Sequence, residues 1–275
     1  MANNRTPICI YDIGAQPEGT PRWKELIQHE AVNFVEFEPE NPRPGQLPYF
    51  LGDGQERTFY QTRYFGCSSL LEPDPEVINR FMGMNCGLPG GNFTVVGQKT
   101  VTTTRLDDIP DLPQPDLVKI DTQGAELMIL EHGMKTIGQA LVIEAEVDFV
   151  RLYKNQPLFS HVDCFLRQHG FELHRFEEIA GRCFTPYLLT NNPFKGTSQF
   201  VFADAVYVRN LTTPQDLQDA ELIRLAQIMH YVYGSHDLCA HLYSEYDHRH
   251  ASHWADQYRQ RLRPSPDHFI TIRDH

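Results

Sequence analysis

The sequence predicts an α/β fold, in which a doubly wound, mostly parallel sheet carries helices on both faces. Short apolar runs alternate with helical segments along most of the chain, which is the pattern of such a sheet. The clearest junction follows the apolar run at 117–120, where a polar turn leads into Ala125, Met128 and Ile129 at helical spacing. This junction puts Asp121 at the carboxyl end of a buried strand, the edge where open α/β sheets bind ligands.

The first part of the chain has the pattern of a strand, a glycine turn and a helix, followed by two further strands. An apolar strand at 8–11 leads into a turn that contains Gly14, and residues 21–31 are compatible with a helix. Two more apolar runs, at 32–37 and 48–51, are expected as the second and third strands because each ends in residues typical of turns. Strands joined by helical connections favour parallel pairing.

The middle of the chain completes the sheet. Residues 55–105 interrupt the alternation, and we interpret this segment as a cover over the ligand edge. Apolar runs at 117–120 and 140–144 predict the fourth and fifth strands. The runs at 171–176 and 200–208 predict two last strands that are close enough to pair antiparallel, because the loop between them is rich in Pro, Asn and Gly. The predicted sheet thus has seven strands.

The last part of the chain predicts helices. From residue 214 apolar side chains recur at helical spacing, and six histidines fall between His230 and His253. A metal site is one interpretation, but no His-Glu-x-x-His pair occurs, so amphipathic helices that pack on the sheet or pair with another subunit are favoured. We therefore expect a main domain at 1–213 and a helical appendage at 214–275.

Composition excludes some classes of function. The chain has 275 residues and a formal charge of −12, which argues against binding nucleic acid or an anionic membrane surface. Six cysteines are scattered without paired spacing, which favours reduced thiols over disulfides. No signal peptide and no run of apolar residues long enough to span a membrane is visible, so a cytoplasmic protein is expected.

The ends of the first three strands carry residues suited to an adenosyl ligand. The turn of Asp12 and Gly14 allows the backbone to approach a ligand closely. Glu38 closes the second strand, where a carboxylate can accept hydrogen bonds from both hydroxyls of a ribose, whereas Glu36 points to the opposite face. Asp53, after the third strand, is placed to meet an adenine amino group.

The first turn favours S-adenosylmethionine over a nicotinamide dinucleotide. Dinucleotide-binding turns usually carry three spaced glycines that seat a pyrophosphate, whereas here Gly14 is followed by Pro17, Glu18 and Gly19. Glu18 would repel a diphosphate but would attract a ligand with an ammonium and a sulfonium group. NAD remains the alternative ligand, although this turn suits it less well than it suits S-adenosylmethionine.

Five motifs in order resemble those of the FkbM-type S-adenosylmethionine-dependent methyltransferases. They are residues 12–15 (DIGA), 37–39 (FEP), 67–70 (CSSL), 105–109 (RLDDI) and 119–126 (KIDTQGAE), and the last is the most specific. The resemblance covers roughly residues 8–209 and implies a Rossmann-like methyltransferase sheet of seven strands with the last one antiparallel. It also implies S-adenosyl-L-methionine as cofactor and a small-molecule acceptor, such as a sugar or polyketide-type hydroxyl. The first turn departs from the family pattern, where Asn and a nearer second glycine are common.

The strand ends and the resemblance together give a set of predicted cofactor contacts. These residues are Asp12, Gly14, Ala15, Glu38, Pro39, Asp53, Ser69, Asp121 and Gln123.

The predicted catalytic residues are Asp121, Glu144, Glu146 and His161. The carboxylates lie at the ends of adjacent strands, where they can accept a proton, orient the acceptor or bind a divalent ion, although no metal ligand set is predicted. Asp121 is the first candidate, and it can also serve as a helix N-cap. Glu126 is expected to bind backbone amides instead.

The segment after the fifth strand often lines the acceptor pocket in such sheets, and it contains Tyr153, Gln156 and His161. His161 is either a general base or an exposed helix residue. O-methylation of a small molecule is the leading hypothesis. N-methylation of a peptide side-chain amide and a non-catalytic cofactor-binding scaffold are the alternatives.

Overall fold

The computed structural model describes residues 6–14, 23–87, 90–196 and 198–262. The strands are β1 (Ile8–Ile13), β2 (Val32–Phe37), β3 (Glu56–Thr62), β4 (Val95–Thr102), β5 (Leu117–Ile120), β6 (Val142–Asp148), β7 (Phe171–Arg182) and β8 (Gln199–Arg209). The helices are α1 (Lys24–His29), α2 (Pro75–Ile78), α3 (Glu126–Glu131), α4 (Met134–Ile137), α5 (Phe159–Gln168), α6 (Asp219–Tyr231), α7 (His236–His250) and α8 (Trp254–Leu262).

Six strands form the main sheet in the order β2-β1-β5-β6-β8-β7. The first four are parallel, whereas β8 runs antiparallel to both β6 and β7. The predicted α/β fold with an antiparallel final strand is therefore confirmed. The ends of β1, β2, β5 and β6 point to one edge, as parallel pairing requires.

The expected strand at 48–51 is not part of this sheet, so the sheet has six strands instead of seven. Around it only isolated bridges form, from Phe37 to Leu47 and from Leu51 to Thr104. Pro48 has no backbone N–H to donate to a ladder, and Leu51 turns instead toward the segment that follows β4.

The central strands are apolar throughout because helices cover both faces of the sheet. Alternate residues of β1, such as Tyr11 and Ile13, pack toward the side that carries α3 and α5. Ile8 and Ile10 pack toward the side that carries α6 and α7. A second, two-stranded sheet of β3 and β4 lies within the segment that we predicted to be a cover.

The C-terminal helices pack on the main sheet, which is one of the two arrangements that the sequence left open. Leu222, Leu225 and Met229 of α6 are buried in one core with strand residues of β1, β5, β6 and β8. Among the described residues, no helix combines the length and the apolar character that a membrane crossing requires.

The histidines of this region link helices to one another. Nδ1 of His230 and Nδ1 of His236 each lie 2.9 Å from the hydroxyl of Tyr258 on α8. Over the ranges that the structure describes, no three His, Cys, Asp or Glu side chains are arranged to hold a metal ion. All six cysteines are free thiols.

An ion pair joins α6 to the sheet. Nη1 of Arg224 donates to both carboxylate oxygens of Asp116, at 2.8 and 2.9 Å. The backbone N–H of Cys9 donates to Oδ2 of Asp116 at 2.9 Å. Asp116 is buried, so it satisfies a donor of β1 and the guanidinium at the same time.

We expect Asp116→Asn to lower the free energy of unfolding by about 1–3 kcal/mol, because the amide leaves a partly buried guanidinium without its charged partner. Urea unfolding measures this change. Glu72→Gln is the control, since Glu72 and Lys154 form an exposed pair whose loss should change the free energy of unfolding little. Equal effects of the two substitutions would contradict the anchoring role of Asp116.

Candidate functional site

The ends of β1, β2 and β5 are held together by backbone contacts. The N–H of Asp121 donates to the carbonyl of Ile13 at 2.9 Å, and the N–H of Gly14 donates to the carbonyl of Phe37 at 3.2 Å. Gly14 has a φ of +89°, and a Cβ at this position would lie 1.9 Å from the carbonyl oxygen of Asp121. Only glycine can occupy this position, as the Asp-x-Gly turn predicted.

A first cavity opens at these strand ends and encloses about 680 Å³ of empty space, part of it open to solvent. Its walls are mainly apolar and aromatic, which suits a flat heterocycle. The apolar lining consists of Ile13, Phe37, Tyr49, Phe50, Leu51, Phe59, Phe65, Leu70 and Ala125.

Glu38 is the buried carboxylate of this cavity, with 6% of its surface exposed. Its Oε1 accepts hydrogen bonds from the backbone N–H groups of Glu40 at 2.8 Å and Asn41 at 3.1 Å. Both bonds go to Oε1, so Oε2 takes no part in them. The carboxylate is therefore held at the cavity wall with a fixed orientation.

The cover contributes Phe59 and Phe65 and an ionic contact that the sequence did not reveal. Glu40 accepts a hydrogen bond from Nε2 of Gln61 at 2.6 Å and forms an ion pair with Lys99. The ammonium of Lys99 also lies over the ring of Phe59, 5.8 Å from its centroid. These contacts join the loop after β2 to the β3–β4 sheet.

A hydrogen-bonded network connects the ends of β5 and β6. Nε2 of Gln123 donates to Oδ1 of Asp121 at 3.1 Å and to Oε2 of Glu146 at 2.7 Å. Oε1 of Gln123 accepts from the hydroxyl of Tyr153 at 3.1 Å. The hydroxyl of Ser69 donates to the backbone carbonyl of Gln123 at 2.7 Å. Gln123, which has a φ of +58°, is thus fixed at both its backbone and its side chain.

A second cavity lies on the other side of Gln123 and encloses about 1320 Å³, again including open space at its mouth. The side chain of Gln123 belongs to the lining of both cavities. The second lining is completed by Arg63, Tyr64, Gly66, Cys67, Gly83, Met84, Gly90, Asn92, Phe93, Glu146, Asp148, Leu152, Tyr153, Arg182, Phe194 and Phe202.

Burial and mutual repulsion raise the pKa values of two acids that line the second cavity. Burial, followed by the charges of Asp121 and Asp148, raises the pKa of Glu146 well above its usual range. Burial also raises the pKa of Asp148, with the charges of Glu126 and Asp121 adding to the effect. Nε2 of Gln156 donates to Asp148 at 2.5 Å. A cation that approached this region would favour the ionised forms.

Lys119 is a positively charged residue that pairs with Asp121. Its Nζ donates to Oδ2 of Asp121 at 3.2 Å. Burial lowers the pKa of Lys119, but the charges of Asp121, Asp12 and Asp204 outweigh this effect and raise the pKa overall. Asp12 lines neither cavity. Its charge affects this network by helping to raise the pKa of Lys119.

The structure brings six of the predicted cofactor contacts to the first cavity. They are Gly14, Glu38, Pro39, Ser69, Asp121 and Gln123. Ala15 lies outside the described residues. Asp53 does not join the cavity lining, because it forms an ion pair with Arg57. The hydrogen bond from Arg57 lowers the pKa of Asp53 to about 2.

Two of the predicted catalytic residues are not in the site. Glu144 is completely buried and accepts a hydrogen bond from the hydroxyl of Tyr233 at 2.8 Å, behind the cavities. His161 lies at the exposed start of α5, where its Nδ1 accepts from the backbone N–H of Leu158 at 3.1 Å. Tyr233, between α6 and α7, covers Glu144, whereas Glu146 lines the second cavity.

A family model described as the methyltransferase FkbM domain matches residues 12–173. The matched range is more than half of the chain. The protein belongs to the FkbM methyltransferase family. It is therefore an S-adenosylmethionine-dependent methyltransferase. No curated protein and no solved structure matched the chain.

In this FkbM-family protein, the matched range runs from the end of β1 to the start of β7. It contains the residues of the first cavity and the Asp121–Gln123–Glu146 network. Three residues of the second cavity, Arg182, Phe194 and Phe202, lie beyond it.

Glu126 lies behind this network and has the structural role that we expected. Its Oε1 accepts from the backbone N–H groups of Thr122 at 2.8 Å and Gly124 at 3.1 Å. Burial raises the pKa of Glu126 to about 7, although these hydrogen bonds act in the opposite direction. The folded protein therefore binds this proton more strongly than the unfolded chain does.

We expect Glu126→Gln to remove one pH-dependent part of the stability. In the wild type this contribution is fully present below pH 4.5 and is lost as the pH rises through about 7. The stability of the wild type relative to the variant should therefore fall by about 1–3 kcal/mol between these values. Urea unfolding from acid to pH 8 measures the difference, and the other acids cancel because both proteins contain them. A difference that does not change with pH would contradict the raised pKa.

Proposed function

We propose that this methyltransferase transfers a methyl group to a hydroxyl of a small molecule, with the cofactor in the first cavity and the acceptor in the second. The observation that supports this assignment is the position of Gln123. Its side chain lines both cavities and binds a carboxylate on each side, Asp121 and Glu146.

The first cavity suits S-adenosylmethionine. The aromatic walls fit an adenine ring, and the Glu38 carboxylate is oriented to accept hydrogen bonds from ribose hydroxyls. Asp121 and the other acids around Gln123 provide a negative environment for a sulfonium. When bound, S-adenosylmethionine supplies a methyl group on a positively charged sulfur and leaves as neutral S-adenosylhomocysteine.

Glu146 is the group that we assign to take the proton of the acceptor hydroxyl. It lines the second cavity, and Nε2 of Gln123 holds its Oε2, so the carboxylate has a defined direction. An alcohol does not ionise readily at neutral pH, and a carboxylate in a buried site is a better base than one in water. Tyr153 fixes Gln123 from the other side and thereby orients the pair.

We expect Glu146→Gln to lower kcat by about 10²–10⁴-fold while the Kd for S-adenosylmethionine changes little. Glutamine keeps an acceptor for Gln123 but cannot take a proton. In the wild type, kcat should rise with pH through the raised pKa of Glu146, because the base is active only when ionised. The residual activity of the variant should lack this rise with pH. Release of S-adenosylhomocysteine measures the rate.

Glu144→Gln is the matched control for this prediction. Glu144 lies two residues earlier on β6, and its carboxylate faces Tyr233. The control should keep the pH profile of the wild type. Loss of the profile in both variants would show that the effect comes from the strand and not from the base. Mass spectrometry of the product identifies the methylated atom, and methylation of an amide nitrogen would contradict the assignment of a hydroxyl acceptor.

We expect Glu38→Ala to weaken the binding of S-adenosylmethionine by about 1–3 kcal/mol through the loss of charged hydrogen bonds to the ribose. Isothermal titration calorimetry measures the Kd. Glu36→Gln is the control, because Glu36 lies two residues earlier, on β2, and pairs with Arg43 at the surface. An unchanged Kd for Glu38→Ala would count against the ribose assignment.

A further inference from the structure

Arg182, the last residue of β7, lies in the wall of the second cavity with a guanidinium that is only partly paired. Its Nη1 donates to the backbone carbonyls of Gly181 at 2.9 Å and Phe194 at 3.1 Å. Its Nε is buried and has no hydrogen-bond partner within the described part of the chain. Burial lowers the pKa of Arg182, and no neighbouring carboxylate offsets this effect. The protein thus holds a half-buried cation in the wall of a cavity, and an anion in that cavity would compensate for its lost hydration.

Two aromatic rings hold the guanidinium in place. Its central carbon lies 5.5 Å from the centroid of the Phe202 ring and 5.8 Å from that of the Phe194 ring. Both rings also line the second cavity. Stacking of this kind orients the planar group without using its N–H donors. The two hydrogen bonds to backbone carbonyls involve Nη1, so Nη2 is the donor left for a planar or tetrahedral anion. Arg63 adds a second positive charge to the lining.

The strand register separates this cation from the acids. Phe202 pairs with Asp148 on β6 and with Ala180 on β7. Arg182 follows Ala180 by two residues, so it lies about 7 Å farther along the strand direction than the row of Asp148. The lining of the second cavity therefore carries acids at Glu146 and Asp148 and a cation at Arg182, whose backbone lies farther along the strands.

Apolar side chains also belong to this lining. Met84, Phe93 and Leu152 are buried residues of this wall. An acceptor that fits such a cavity has an apolar or ring-shaped body between a hydroxyl and an anionic group. A neutral acceptor would leave the charge of Arg182 without an anionic partner.

We propose that the methyl acceptor carries a carboxylate or phosphate group that Arg182 binds, while its hydroxyl faces Glu146. This inference rests on the proposed function of the second cavity as the acceptor site. It identifies the class of substrate as a hydroxylated organic acid or phosphate ester, in a protein whose overall charge is −12.

The test compares acids with their neutral analogues on the protein saturated with S-adenosylhomocysteine. The probes for calorimetry are 4-hydroxycinnamate against its methyl ester, and glucuronate and glucose 6-phosphate against glucose. At least one acid should bind about tenfold more tightly than its neutral analogue, which corresponds to one charge-assisted hydrogen bond. Preference for glucuronate would identify a carboxylate, and preference for glucose 6-phosphate would identify a phosphate.

Arg182→Met should remove the preference, with a loss of about tenfold for the acid and less than about twofold for the neutral analogue. Arg175→Met is the matched control, because Arg175 lies on the same strand and pairs with Glu177 outside the cavity. It should keep the preference. No preference for any acid in the wild type, or a preference that persists in Arg182→Met, would overturn the proposal.

Two further measurements keep the test decisive. Arg182 also binds the carbonyl of Phe194, so Arg182→Met can disturb folding. Raising NaCl from about 0.05 to 0.5 M in the wild type should weaken binding of the acid and leave binding of the neutral analogue unchanged. Equal effects on both would overturn the proposal without any variant.

Binding of S-adenosylhomocysteine alone is measured first. Its absence would contradict the proposed function, whereas its presence without a preference for acids would contradict only the role of Arg182.

Discussion

The close approach of Gly14 to the backbone of Asp121 is the constraint on which the site depends. Parallel pairing of β1 with β5 brings these two strand ends together, and a side chain at position 14 would overlap the carbonyl of Asp121. This contact places the turn after β5 in the wall of the first cavity. Gln123 then adopts a positive φ, and its amide reaches both Asp121 and Glu146. Gln123, which lines both cavities, thus lies two residues after the strand end that this tight junction fixes.

Charge is distributed unevenly around this junction. Acids gather where β5 and β6 end, and their burial and mutual repulsion raise the pKa of Glu146. The cation of S-adenosylmethionine would relieve this repulsion, so cofactor binding and ionisation of the base favour one another. In the lining of the second cavity, Arg182 carries a positive charge that no neighbouring carboxylate offsets. The site is therefore polarised along the path that an acceptor would occupy.

Local pattern predicted many of these features because strand ends are visible in sequence. Glu38, Asp121, Gln123 and Glu146 all line a cavity, as residues at the ends of apolar runs should. Asp53 was predicted by the same rule but lines neither cavity. Asp53 follows an expected strand that does not form, and it pairs with Arg57, four residues later. The sequence pattern identified Asp53 as an acid at a strand end but did not indicate that Arg57 would bind it.

Sequence alone determined the six strands that do form the main sheet, the helices between them and the acidic strand tips, because these depend on periodicities within short segments. Tertiary structure decided which tips face a ligand. Glu144 and Glu146 lie on the same face of β6, but Tyr233, which follows α6, covers the first and leaves the second in the cavity. Arg182 reaches the same cavity from the end of β7, beyond the family match. Contacts between residues so distant in sequence depend on how the layers pack, and no local pattern records that packing.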